Sequence, residues 1–152
     1  MKYVFELNNV PEVAIDFIGG KAKSLNTMLT NLNVRIPSGY VIISSAFSSY
    51  DIIEDAVDEI RNAIKSLNQS KTYAVRSSAL NEDGKANSFA GQYETITNVK
   101  VENVFDAIKE VIKSSDNSRV KTYSDTFSEE NQGIAVIIQE FVNPDYAGVV
   151  FT

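Results

Sequence analysis

The fold turns on residues 73–98, which read YAVRSSALNEDGKANSFAGQYETITN. A short apolar run, Tyr73-Ala74-Val75, is followed by a lone Arg76 and two hydroxyl residues, Ser77 and Ser78. A polar segment containing Gly84 and Gly91 comes next, and then a β-like run, Tyr93-Glu94-Thr95-Ile96-Thr97. The pattern predicts strand, long polar loop, strand. Long loops without structure of their own are uncommon in compact domains and are often functional, so this one is expected to bind something.

The flanking sequence supplies the rest of a mixed domain. Tyr3-Val4-Phe5-Glu6-Leu7 predicts a strand, and Asn8, Asn9 and Pro11 a turn. Gly19-Gly20-Lys21 then opens a helix whose apolar residues Ile18, Leu25, Met28, Leu29 and Leu32 recur at helical spacing. Pro37-Ser38-Gly39 is a turn before a strand at Tyr40-Val41-Ile42-Ile43. Ser48 or Ser49 is placed to cap a helix with Ile52, Ile53, Ala56, Val57, Ile60, Ala63, Ile64 and Leu67 along its stripe. Its acids Glu54, Asp55, Asp58 and Glu59 lie off that stripe and read as a solvated face rather than a metal site.

Val104, Phe105, Ile108, Val111 and Ile112 predict a further helix, and Val120, Tyr123 and Phe127 a short one. Ile134-Ala135-Val136-Ile137-Ile138 is a buried strand running into Gln139-Glu140-Phe141-Val142. Asn143-Pro144-Asp145 turns the chain towards a last strand, Ala147-Gly148-Val149-Val150-Phe151-Thr152, so the closing pair is expected to form a hairpin. The class is α+β in a single domain of 152 residues. Because an apolar strand stands last, the chain is expected to be a fragment or an unusually short homologue.

Composition narrows the chemistry. The formal net charge is −6, and no basic patch is visible, which argues against a nucleic-acid partner. There is no cysteine, hence no disulfide and no thiolate metal site. There is no histidine either, so no imidazole in this chain can serve as base, metal ligand or phosphoryl carrier. No apolar run reaches the ~20 residues of a membrane-spanning helix, and the N-terminus MKYVFELNNVPE breaks too early for a signal peptide. No membrane partner is expected, and the cytoplasm is the expected compartment.

Two cations stand out. Lys21 in the first turn of a helix opposes the helix dipole, and an anion bound at that end would account for it. Spacing alone favours a solvated lysine beside two turn glycines, and the missing Ser or Thr after Lys21 excludes a Walker A loop. Arg76 at the end of a buried run needs a partner. That partner is either an internal carboxylate, with Glu82, Asp83 and Glu94 in reach along the chain, or a bound anion. The residues alone leave both open.

The ordered motifs resemble the N-terminal nucleotide-binding domain of the pyruvate phosphate dikinase and phosphoenolpyruvate synthase family, which rifampicin phosphotransferases share. The match is carried by Gly19-Gly20-Lys21, Ile36-Pro37-Ser38-Gly39-Tyr40, Ala74-Val75-Arg76-Ser77-Ser78-Ala79 and Glu82-Asp83. It continues through Ser88-Phe89-Ala90-Gly91-Gln92-Tyr93-Glu94-Thr95, Val136-Ile137-Ile138-Gln139-Glu140-Phe141-Val142 and Ala147-Gly148-Val149-Val150-Phe151-Thr152. The resemblance implies an ATP-grasp-type fold, with residues 1–152 its N-terminal portion. It implies ATP and Mg²⁺ as cofactors, with the metal ligands outside this chain.

By motif position, Lys21 and Arg76 would meet the ATP phosphates, and Arg76 would have the catalytic role of neutralising charge on the transferred group. Gly91 and Thr95 would line the phosphate end, while Gln139, Glu140 and Val142 would meet the adenine. The resemblance further implies transfer through a carrier histidine on a separate swivelling domain to pyruvate, rifampicin or another small acceptor on a further domain. Ala22 departs from the glycine usual after the lysine and adds a methyl near the phosphates. The alternative reading is a stand-alone, non-catalytic nucleotide-binding or interaction module.

Overall fold

The computed structural model describes residues 1–32, 34–80, 95–115 and 133–143. Its strands are β1 (Val4–Glu6), β2 (Gly39–Ile42), β3 (Phe47–Ser48), β4 (Asp51–Ile52), β5 (Thr72–Ala79), β6 (Thr95–Lys100) and β7 (Ile134–Glu140). Five of them form one antiparallel sheet in the order β1-β2-β7-β5-β6. A separate two-residue pairing joins β3 to β4. The helices are α1 (Gly19–Asn31), α2 (Glu54–Lys65) and α3 (Val104–Ser114), with a short 3-10 turn over Glu12–Phe17. Helix and antiparallel sheet together make an α+β fold.

The register sorts the side chains. Residues directly opposed in an antiparallel ladder share a face, and successive residues alternate. Ala74, Arg76 and Ser78 of β5 oppose Gln139, Ile137 and Ala135 of β7. Arg76 also opposes Thr95 of β6, and Gln139 opposes Gly39 of β2. These residues form one face. Tyr73 and Val75 of β5, Val136 and Ile138 of β7, and Tyr40 and Ile42 of β2 form the other. On that second face the Tyr40 hydroxyl meets Ser66 Oγ at 2.8 Å, and the Tyr73 hydroxyl accepts the Asn68 N–H at 2.9 Å. The end of α2 is thereby tied down there, and α3 packs on β5, β6 and β7. Ile60, Val104, Ile108 and Val111 are fully buried in the resulting core with Val75, Val136 and Ile138.

Several expectations are corrected. Arg76 does not end the buried run, because β5 runs on to Ala79, and Ser77 and Ser78 are both buried. Neither Ser48 nor Ser49 caps α2. Ser48 lies in β3, Ser49 and Tyr50 form a tight turn with φ of 51° and 61°, and the helix starts at Glu54 behind Ile53. Ile52 therefore belongs to β4, not to the helical stripe. Leu32 falls beyond the end of α1 and is exposed; Gly19, Gly20 and Ala22 are the buried positions of α1, while Leu25 and Leu29 of the expected stripe are partly buried against the core. Glu59 is not a solvated acid: its Oε2 accepts the backbone N–H groups of Tyr3 and Val4. The short helix expected around 120–127, the last strand at 147–152 and its hairpin lie outside the described residues.

Candidate nucleotide site

The site is built where the first turn of α1 meets the far end of β5. Gly19 has φ +77°, a conformation that favours glycine. A Cβ on it would overlap the carbonyl oxygen and hydroxyl of Ser78. The missing side chain therefore lets the helix start lie directly against the strand. Ser78 Oγ accepts the Ala22 N–H at 3.2 Å. Lys21 Nζ donates to the Ser77 carbonyl oxygen at 3.2 Å. The structure thus brings Lys21 to β5 at the residue that follows Arg76, although the two are far apart in sequence.

Arg76 is half-buried, and among the described residues no carboxylate pairs with it. Glu82, Asp83 and Glu94, the partners considered from sequence, lie outside the described residues. Thr95 is exposed and sits across from Arg76 on the shared face. The first turn of α1 holds no acidic residue, and Ile18 at its N-cap supplies no side-chain oxygen. A helix start with no acidic residue of its own, with a lysine bonded to the strand at the residue after an arginine, carries charge of the sign that suits a polyphosphate. The Ala22 methyl is fully buried in the core, so it packs inward rather than into that surface. Gly91 lies outside the described residues.

The residues expected at the adenine are engaged within the fold. Gln139 is buried, and its Nε2 donates to the Pro37 carbonyl at 3.0 Å. The Glu140 N–H donates to the Ser38 carbonyl at 3.0 Å and the Phe141 N–H to the Thr72 carbonyl at 2.8 Å. The Glu140 carboxylate accepts from Lys71 Nζ at 2.9 Å. That bond first, and the carboxylate's charge second, raise the Lys71 pKa above its ordinary value. Val142 lies past the end of β7 and is 57% exposed. The strand around Gln139 is interior to the sheet, so its backbone groups serve β2 and β5. Among the described residues, no group of three or more acidic, histidine or cysteine side chains is placed to hold a metal.

Sequence reasoning missed three ties: Ser78 to Ala22, Gln139 to Pro37 and Lys71 to Glu140. For the first there was a signal. A pair of glycines at a helix start marks a close backbone approach, and something must lie against it.

Comparison with known proteins gives this geometry a family. The family described as pyruvate phosphate dikinase, AMP/ATP-binding domain, matches residues 49–152. The chain belongs to this family. It is 32% identical to the prodigiosin synthesizing transferase PigC of Serratia marcescens, over 98% of this chain and 20% of that protein. It is 30% identical to the phosphoenolpyruvate synthase of Pseudomonas aeruginosa, over 100% of this chain and 26% of that one. The rifampicin phosphotransferase of Bacillus cereus is 23% identical, over 99% of this chain and 22% of its own length. The chain therefore spans about a quarter or less of each of these relatives. The synthase alignment runs over 202 residues, more than the 152 of this chain, so that dikinase-family relative carries internal residues with no counterpart here.

Proposed function

We propose that this chain is the ATP-binding portion of a dikinase-type phosphotransferase similar to phosphoenolpyruvate synthase. The supporting observation is that Lys21, in the acid-free first turn of α1, bonds the Ser77 carbonyl, the residue next to Arg76 on β5. In this reading the fold is the N-terminal portion of an ATP-grasp-type domain covering residues 1–152. Lys21 and the leading amides of α1 hold the ATP phosphates. Arg76 offsets the charge that develops on the transferred group, which is the larger part of catalysis in phosphoryl transfer. Thr95 donates a hydroxyl from the same face, and Gly91 lines the phosphate end.

Gln139 and Glu140 shape the adenine end by pinning residues 36–39 across β7, and Val142 offers exposed surface beside it. Mg²⁺ accompanies the nucleotide and neutralises phosphate charge, with ligands assigned to the parts of longer relatives that this chain does not match. This sequence holds no histidine, so the phosphoryl carrier is assigned to a histidine on a separate swivelling domain. From there phosphate passes to pyruvate or another small acceptor on a further domain. The assigned compartment is the cytoplasm. No helix of the described residues is long and apolar enough to cross a membrane.

The test is a calorimetric titration of Mg-ATP onto the chain. Saturable binding weaker than about 1 μM is expected, since the metal ligands are assigned elsewhere. Absence of heat at millimolar ATP contradicts the proposal.

A further inference from the structure

Ser78 is placed to do more than continue a strand. Its side chain is fully buried, and its Oγ accepts the Ala22 N–H at 3.2 Å. Ala22 is the fourth residue of α1, at the end of the turn whose N–H groups are short of helical partners. Ile18 offers no capping oxygen, so side-chain support for this turn comes from a strand 56 residues away in sequence. Ala22 is also fully buried, so its amide has no bulk water to turn to. Gly19, at φ +77°, leaves no space for a side chain between the helix and Ser78. Lys21 Nζ adds its bond to the neighbouring Ser77 carbonyl.

We infer that Ser78 is a positioning residue for the nucleotide phosphates. Its hydroxyl fixes the first turn of α1 against β5, and so fixes Lys21 and the leading amides of α1 relative to Arg76. The inference rests on the proposed function above. Ser78 acts through the helix rather than by touching phosphate. Anion recognition at a helix start depends on where its N–H groups point, and small misplacements of binding groups are expensive. Arg76 and Ser78 are two residues apart on one strand face. One serine therefore sets the separation of the two cations.

The experiment is Ser78→Ala in the full chain, with ATP and adenosine each titrated by calorimetry on protein shown to be folded by circular dichroism. Loss of one buried hydrogen-bond acceptor is expected to weaken Mg-ATP by about tenfold and leave adenosine unchanged. A merely structural role would weaken both or neither, and either result overturns the inference. Ser78→Cys keeps the volume and weakens the acceptor, so it should give a smaller loss in the same direction. It replaces the alanine variant if that one does not fold. In the unaltered chain the Ala22 amide must be protected from hydrogen exchange, and fast exchange there also overturns the inference. Arg76→Ala separates the two levels. If it loses ATP while both Ser78 variants keep it, only the role of Ser78 fails. If it keeps ATP, the functional reading fails and the role of Ser78 falls with it.

Discussion

Arg76 of β5 lies directly across from Thr95 of β6, with Ile137 of β7 on its other flank. Opposed residues of an antiparallel ladder share a face, so a guanidinium and a hydroxyl stand side by side at one end of the sheet. Thr95→Val keeps a β-branched side chain and removes the hydroxyl. Mg-ATP binding should weaken by about 1 kcal/mol, the ordinary contribution of a neutral hydrogen bond, while the melting temperature stays put. Paired calorimetry and thermal melts check this.

Gly39 tests the packing of the strand that carries Gln139. A Cβ there would overlap the Ile138 carbonyl oxygen and lie 2.8 Å from Gln139 Cα. Backbone cannot swing aside as a flexible side chain can. Gly39→Ala should destabilise the fold by about 1–3 kcal/mol, as overpacking does, seen as a lower urea midpoint.

Glu59 closes the start of β1 by accepting the Tyr3 and Val4 N–H groups. Glu59→Ala leaves two partly buried donors unsatisfied, and about 1–3 kcal/mol of stability should be lost. Glu59→Gln retains an acceptor and should recover much of it. Equal stability of the alanine variant and the unaltered chain would show that water replaces the carboxylate.

Lys71 and Glu140 link the start of β5 to the end of β7. The Lys71 pKa is raised above 10.5 by its bond to Glu140. A raised folded-state value means stability that is present below the unfolded pKa and fades as pH climbs through the folded one. The melting difference between the unaltered chain and Lys71→Met should therefore hold from neutral pH to about 10 and vanish above the raised value. It should be small throughout, because the pair is solvent-accessible.

Periodicity carried most of the core elements. The apolar runs at 73–75 and 134–138 are strands, the run at 40–43 is a strand as far as Ile42, and the stripe at 104–112 is a helix. The errors share one cause: local signals were overruled by partners distant in sequence. Arg76 looks like the end of the buried run, yet β7 goes on pairing with Ser77 and Ser78, and α1 covers Ser78. Asp51 and Ile52 look helical, yet a tight turn at Ser49 and Tyr50 folds them back on β3. Glu59 looks solvated because its acceptor role depends on where β1 arrives. At the site, the residue types of Lys21 and Arg76 were legible, but the bond that ties Lys21 to β5 at Ser77 was not. It depends on Gly19 allowing the helix to lie against Ser78.

The central claim is that Lys21 and Arg76 act on one set of nucleotide phosphates, and a mutant cycle measures it most directly. Mg-ATP is titrated onto the unaltered chain, Lys21→Ala, Arg76→Ala and the double variant. Each single change should weaken ATP by about tenfold or more, as loss of a charge-assisted contact does. The double variant should differ from the sum of the two, because groups sharing one ligand couple. ATP affinity unchanged by either single substitution would contradict the account.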